Sequence, residues 1–296
     1  MKHYLGIDVG GTAIKYALMD EEAQIIEKGE FETPKTNLDD FVEGIGKIYD
    51  HYKDKIDGIA MSVPGRVDAK TGYMYTGGAI QYNYNVEMTT ILSKRCPIKI
   101  SLDNDGKCAA MAELWKGSLK GIEHGVVLTL GTGIGGGIIA NGKLLRGHNF
   151  AAGELSLLPT TILDGQEMNF WANINATSGL TRPFELRKGL PTKSISGKDF
   201  FNALKENDLD AKEVLEIFSR NFANGLFAIQ AVLDTQRVAI GGGISAQDAL
   251  IESIQSKVDD FFQKYQGIPQ QKMEIVRCAF GNDSNLIGAL YNHLHG

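Results

Sequence analysis

The sequence is short of several things, and each shortage removes a class of function. Its 30 Lys and Arg against 36 Asp and Glu leave a net charge of −6. There is no basic surplus of the kind that nucleic acid or an anionic membrane surface requires. Three cysteines occur, Cys96, Cys108 and Cys278, far apart and odd in number. No disulfide framework or C-x-x-C metal pair follows, and they read as small buried hydrophobes in a reduced compartment. No apolar run approaches the roughly 20 residues that span a bilayer. Met1 leads straight into an apolar strand pattern, without the charged n-region and long h-region of a secretory signal. A cytoplasmic location is expected. Low-complexity tracts are missing, and so is any G-x-x-x-x-G-K-[ST] phosphate loop.

Glycine, in contrast, is abundant: 35 residues, many in short clusters directly after apolar runs. That placement lets backbone approach a ligand closely. With 296 residues, 43% of them hydrophobic, the chain can bury a sizeable core, and its length suggests two lobes. The expected division is residues 1–115 for an N-terminal lobe and 116–280 for a C-terminal lobe, with 281–296 a helix packing back on the first.

The order of elements is informative. Tyr4 to Ile7 is a short apolar run ending in Asp8-Val9-Gly10-Gly11-Thr12. Ala13 to Met19 and Gln24 to Phe31 read as further strands, so strand and not helix follows this first glycine loop. Residues 38–53 carry Phe41, Ile45, Ile48 and Tyr52 at helical spacing. Ile56 to Val63 is another strand, ending at Pro64-Gly65. A second glycine loop, Gly131 to Gly137, follows the strand Val126 to Leu130. Ile138 to Ala140 again reads as strand, then Asn141-Gly142 as a type I′ hairpin turn, then Lys143 to Leu145. The two halves therefore repeat one plan. A third cluster, Gly241-Gly242-Gly243, follows the strand Arg237 to Ile240. Helices are expected over 211–233, 246–265 and 284–294, with mixed helix and loop over 160–200.

Gly131-x-Gly133-x-x-Gly136 matches the dinucleotide fingerprint, but that fingerprint needs a helix directly after it. A hairpin follows instead, so a Rossmann oxidoreductase is rejected. Two glycine-rich hairpin tips on similar lobes give another solution: backbone N–H groups forming anion sites between the lobes. A lone tip is more often just a tight turn; three glycine clusters in this order argue for phosphate. Thr12 and Thr132 add hydroxyl donors and Lys15 a cation. Asp8 suits Mg²⁺, directly or through water, because hard cations prefer carboxylate oxygen. Asp103-Asn104-Asp105 follows the strand Ile98 to Leu102 and opens a helix running to Trp115. Asp103 or Asp105 alone is more often an N-cap than a catalyst. Two aspartates around an asparagine exceed what capping requires, and fit a proton acceptor beside a hydroxyl-orienting amide. Glu154, after Gly153, is either a solvated charge or a sugar-hydroxyl acceptor.

With these residues assembled, the chain resembles the ROK sugar kinases of the actin-like ATPase superfamily, essentially end to end. The carriers are Asp8 to Lys15, Val63-Pro64-Gly65-Arg66-Val67, Asp103-Asn104-Asp105, Gly131 to Gly137, Ala152-Gly153-Glu154 and Gly241-Gly242-Gly243. The resemblance implies a two-lobed α/β fold, actin-like (ribonuclease H-like), with mixed sheets flanked by helices. It implies ATP and Mg²⁺ as cofactors, a sugar as substrate and a homo-oligomer, a dimer. Asp105 would be the base for the sugar 6-hydroxyl, with Asn104 and Glu154 gripping ring hydroxyls and Gly65 and Gly78 beside the sugar. Gly10, Gly11, Thr12, Thr132 and Gly133 would cradle the ATP phosphates, and Gly242 and Gly243 would lie near the adenosine.

The departures from the family pattern are also informative. Many members hold zinc through a histidine three residues after the glutamate and a cysteine cluster. Here that position is Leu157, and residues 166–179 contain no cysteine. No zinc site is expected. Ala172 to Gly179 also lacks the glutamate that helps hold the anomeric end of the sugar. A pocket without those anchors leaves fewer buried polar groups unpaired when the anomeric oxygen is substituted. A β-glucoside such as cellobiose is the expected substrate, and the segments Gly77-Gly78-Ala79-Ile80 and Ile174-Asn175-Ala176-Thr177 of this chain also resemble those of bacterial β-glucoside kinases. N-acetylmannosamine kinase and glucokinase are alternatives. A non-catalytic sugar sensor, as among the family's repressors, is the remoter one.

Overall fold

The computed structural model describes residues 2–160 and 169–296. The chain forms two compact units. One holds the residues up to Gly117 together with Leu144–Ala152 and Asn282–Gly296; the other holds Ser118–Lys143 and Gly153–Gly281.

In the first unit, β1 (His3–Val9) turns through the glycine loop into β2 (Ala13–Asp20) and then β3 (Ile25–Glu32), all antiparallel. Next comes α1 (Leu38–Tyr52), whose N-cap Asn37 accepts from the N–H of Asp40. Its stripe of Phe41, Ile45, Ile48 and Tyr52 is buried, as the spacing demands. β4 (Gly58–Val63) runs parallel to β1 and is buried along its whole length, because helices cover both faces of the sheet there. Short strands β5 (Val67–Asp68), β6 (Tyr73–Met74) and β7 (Val86–Glu87) form a small antiparallel sheet. Two-residue strands carry no periodicity, and the sequence gives no sign of them. After α2 (Met88–Arg95), β8 (Ile100–Asn104) pairs parallel to β4 and α3 (Asp105–Trp115) follows at once. The strand thus runs two residues later than its apolar run suggests, through the acidic motif itself. The N-cap is Asn104, not an aspartate: its side chain accepts from the N–H of Lys107.

In the second unit, β9 (Gly125–Leu130) pairs antiparallel with β10 (Ile134–Ala140), which leads to β11 (Lys143–Leu145), of which Lys143 is counted with this unit. Gly135, Gly136 and Gly137 are strand residues, so the second glycine loop is only Gly131 to Gly133. A Cβ on Gly136 would lie 2.5 Å from the carbonyl oxygen of Val127, which explains glycine inside this strand. Asn141 and Gly142 have φ of 52° and 68°, the left-handed pair a type I′ turn needs. Helices α4 (Trp171–Asn175), α5 (Ser178–Lys188), α6 (Gly197–Lys205) and α7 (Leu209–Leu233) come next. They pack around fully buried Trp171, with Phe222 at 4.8 Å and an edge-on Phe184–Phe200 pair at 5.5 Å. β12 (Arg237–Gly241), α8 (Asp248–Lys264) and β13 (Glu274–Arg277) complete the unit.

Strand order is β3-β2-β1-β4-β8 in the first unit and β11-β10-β9-β12-β13 in the second. Each sheet is an antiparallel meander continued by two parallel strands. The duplication read from the sequence is therefore a duplication of topology. Finally α9 (Ser284–His295) packs on α3, β1, β4 and β8. Gly288 makes that crossing close: a Cβ there would sit 1.7 Å from the carbonyl oxygen of Cys108. Cys96 and Cys108 are buried free thiols, whereas Cys278 is half-buried rather than buried.

Candidate active site

In an open sheet, ligands gather beyond the carboxyl ends of the parallel strands. In the first unit those ends belong to β1, β4 and β8. The register aligns Asp8 with Ser62, and Ser62 with Asp103. The next residues outward are the Gly10–Thr12 turn, Pro64-Gly65 and Asn104-Asp105. Acidic and amide groups thus collect at one edge, because parallel pairing brings three separate motifs into line.

Asp8 is half-buried and accepts from Ser62 Oγ and Asn285 Nδ2, both at 3.0 Å and both on Oδ1. Burial raises its pKa above the usual carboxylate value, while those hydrogen bonds and the charge of Lys15 pull it down. Lys15 lies opposite Asp8 in the β1–β2 ladder. A carboxylate stripped of part of its solvation, with both of these hydrogen bonds on Oδ1, fits a hard cation such as Mg²⁺ on Oδ2. Gly10 closes the turn by donating its N–H to the carbonyl of Ala13 at 3.1 Å. Gly11 and Thr12 are exposed.

Asp105 opens α3, and its Oδ1 accepts from Asn104 Nδ2 at 2.9 Å and from the N–H of Gly106 at 2.8 Å. The helix N-terminus favours its anionic form. Asn104 also donates to the carbonyl of Gly65 at 2.9 Å. Gly65 has φ of 96° and Gly78 of 57°, and a Cβ on Gly65 would meet the carbonyl of Thr76 at 2.1 Å. The two glycines are neighbours: a Cβ on Gly78 would be 3.5 Å from the Gly65 nitrogen. Gly65, Gly78, Asn104 and Asp105 are thereby brought together.

In the second unit, β9 and β12 are parallel and end side by side, with Thr129 aligned to Gly241. Beyond them lie Gly131-Thr132-Gly133 and Gly242-Gly243, all solvent-accessible. The N–H of Gly131 donates to the carbonyl of Gly133 at 3.0 Å, and Ser156 pins the next residue, accepting from the N–H of Ile134 at 3.0 Å. Gly242, with φ of 90°, runs so close to Leu130 that a Cβ would be 2.3 Å from its carbonyl oxygen, whereas Gly243 has open space. Glu154 is exposed and follows Gly153, which packs on Gly136 and Gly137. Leu157 is 60% exposed. Residues 166–168, part of the segment read as cysteine-free, lie outside the described residues.

The model of the ROK family matches residues 4–294. The chain belongs to the ROK family. Among relatives of this ROK protein, a β-glucoside kinase of Listeria monocytogenes is 29% identical, with 97% of this chain and 96% of that protein covered. A glucokinase of Halalkalibacterium halodurans is 30% identical, with 96% and 93% covered. Among solved structures, a ROK family protein of Streptococcus pneumoniae in complex with sucrose superposes with a TM-score of 0.89. It is 30% identical, with 99% and 98% of the two chains covered. The fold is accordingly the actin-like α/β fold of ROK sugar kinases.

Three residues at the edge of the first unit escape a reading of the sequence: Ser62 and Asn285, which hold Asp8, and Arg146. Arg146 Nη2 donates to Asp103 Oδ2 at 2.6 Å and to Asn292 Oδ1 at 3.0 Å. Asp103 is fully buried; burial raises its pKa, and Arg146 and the N–H of Asn104 oppose that rise. Among the described residues no helix is long and apolar enough to cross a membrane.

Proposed function

We propose that this ROK protein is a sugar kinase that transfers the γ-phosphoryl group of ATP to the 6-hydroxyl of a glucose unit, with a β-glucoside such as cellobiose as substrate. The observation that carries this reading is the first unit's strand-end edge, where Asp8 and Asn104 stand in the last residues of parallel strands and Asp105 directly after, beside a glycine turn. Family membership makes the chemistry specific, and relatives named β-glucoside kinase and glucokinase support the substrate class.

Phosphoryl transfer asks the protein mainly to position the nucleophile and to balance phosphate charge. Asp105 accepts the proton of the 6-hydroxyl as its oxygen bonds the γ-phosphorus, and the bond from that phosphorus to the bridging oxygen breaks, releasing ADP. Support for Asp105 in this role comes from two donors on Oδ1, which fix the plane of the carboxyl. Asn104, Gly65, Gly78 and Glu154 would hold ring hydroxyls. Gly10, Gly11, Thr12, Lys15, Thr132 and Gly133 would bind the phosphates, with Gly242 and Gly243 beside the adenosine. Asp8 would hold Mg²⁺, which would supply charge neutralisation at the phosphates. A nucleotide donor of this kind suits a cytoplasmic enzyme. Leucine at 157, in place of the family's polar anchor, supports a substituted anomeric oxygen.

The test is the structure of the product. Protein incubated with Mg-ATP and cellobiose should yield a phosphate ester whose ³¹P signal couples to the C6 protons of one glucose unit. An ester at another carbon would overturn the regiochemistry. A clear preference for glucose or N-acetylmannosamine over cellobiose would replace the glycoside reading with one of those kinases.

A further inference from the structure

We propose that Arg146 is a positioning residue: through the buried carboxylate of Asp103 it sets the orientation of the Asn104-Asp105 turn. In its effect on rate this inference rests on the kinase reading above; in its effect on the turn it does not.

The chain of bonds is continuous and lies within the first unit. Arg146 Nη2 donates at 2.6 Å to one oxygen of Asp103 and at 3.0 Å to Asn292 Oδ1 on α9. Asn292 is 5% exposed, so the guanidinium is referenced to a packed helix rather than to a mobile surface group. The other oxygen of Asp103 accepts from the backbone N–H of Asn104 at 2.8 Å. That bond sets the peptide plane from which the Asn104 side chain departs. The side chain is itself held at both ends: Oδ1 accepts from the N–H of Lys107 at 3.1 Å, with a lone pair left for a ligand hydroxyl, and Nδ2 donates to Gly65 and to Asp105 Oδ1, both at 2.9 Å. A rotation of the Asp103 carboxylate would therefore be passed to the group assigned as the base.

Neutralising a buried charge would need only one contact in any geometry. Here a single guanidinium nitrogen bridges a strand carboxylate and a helix amide, an arrangement that fixes angle as well as charge. Lysine could supply the charge, but its ammonium rotates freely about the last bond, whereas the two N–H bonds of Nη2 are fixed in the guanidinium plane. Arg146 is far in sequence from what it orients, and its partners Asp103 and Asn292 are not among the residues assigned to sugar or nucleotide, so its expected signature is a rate effect without a binding effect. A misplacement of about 1 Å in a reacting group costs roughly 10²-fold in rate.

The experiment compares the full-length wild type with Arg146→Ala and Arg146→Lys by two readouts. In amide hydrogen exchange, Arg146→Ala should speed exchange at Asn104 and Gly106 by at least about tenfold while β1 and the second unit keep their protection. In steady-state kinetics with Mg-ATP and cellobiose, kcat should fall roughly 10²-fold with both KM values nearly unchanged. Arg146→Lys should recover part of the rate. Unchanged local exchange together with an intact kcat would overturn the proposal, as would a loss confined to KM. Should Arg146→Ala fail to fold, the same two readouts on Arg146→Lys decide. Should the wild type turn over no sugar, the kinase reading fails by itself, and the exchange at Asn104 and Gly106 alone supports or overturns the role of Arg146.

Discussion

The two units share a strand order but not a chemistry. At the end of β1 stands Asp8, aligned with Ser62; at the matching step of β9 stands Thr129, aligned with Gly241. The first unit's edge bears ionisable and amide side chains held by a partly buried network. Beyond β9 and β12 the second offers backbone: Gly131-Thr132-Gly133 and Gly242-Gly243. Duplication kept what folds, the meander plus two parallel strands, and let the strand ends diverge. Acid–base chemistry needs side chains of tuned charge, whereas holding an anion or a nucleoside needs little more than N–H groups and room.

The sharpest way to break this comparison is Asp105→Asn. It should lower kcat by about 10²–10⁴-fold, with nucleotide affinity by calorimetry unchanged; a retained rate would move the base elsewhere. Next in size is Asp8→Asn, expected to lower kcat by about 10²-fold and to shift the magnesium dependence to higher concentration. Thr129→Val, at the matching position of the second unit, should leave that dependence where it is. An equal shift from both would erase the distinction.

Acid should also separate the units. In the first, His293 is 4% exposed and its pKa is lowered to about 4, by burial first and by the charge of Lys99 second. The unfolded chain takes up this proton as pH falls through about 6.5 and the folded one only near 4, so the stability is complete above that upper value. Up to about 3 kcal/mol is lost between the two. Melting temperature measured from pH 7.5 down to 4.5 should fall for the wild type and flatten in His293→Gln. In the second unit, burial of Glu185 is outweighed by the N–H groups of Ile195 and Lys193, which hold its pKa below the usual value. Its contribution is lost only as pH falls below the ordinary glutamate range. Gln230, which bonds Thr235 and Gln271, does not titrate. Simultaneous acid melting of both units would contradict this. The smallest effect is steric. Gly242→Ala should cost about 1–3 kcal/mol, seen as a lower melting temperature, while Gly243→Ala should be tolerated.

How much of this is legible in the sequence depends on the range of the interaction. The strands of both meanders are legible because apolar runs and the Asn141-Gly142 turn are local signals. The N-cap at Asn104 is misread because β8 continues into a polar motif, which register with β4 enforces and composition hides. Gly135 to Gly137 read as loop because glycine is the usual mark of one; only cross-strand crowding, by Thr129 at Gly135 and by Val127 at Gly136, shows why a strand has it there. Asp8, Asn104 and Asp105 are visible as motifs, but their alignment is not. Ser62 and Asn285 give no local clue, since they meet Asp8 from 54 and 277 residues away. Arg146 sits in an ordinary-looking stretch after a hairpin, 43 residues from Asp103.

The most direct measurement is ADP release by the purified protein with Mg-ATP, with and without cellobiose, glucose or N-acetylmannosamine. Sugar-dependent release, greatest with cellobiose and lost in Asp105→Asn, is the expected result. Folded protein that releases no more ADP with any of these sugars than without would contradict a kinase built on the first unit's acidic edge.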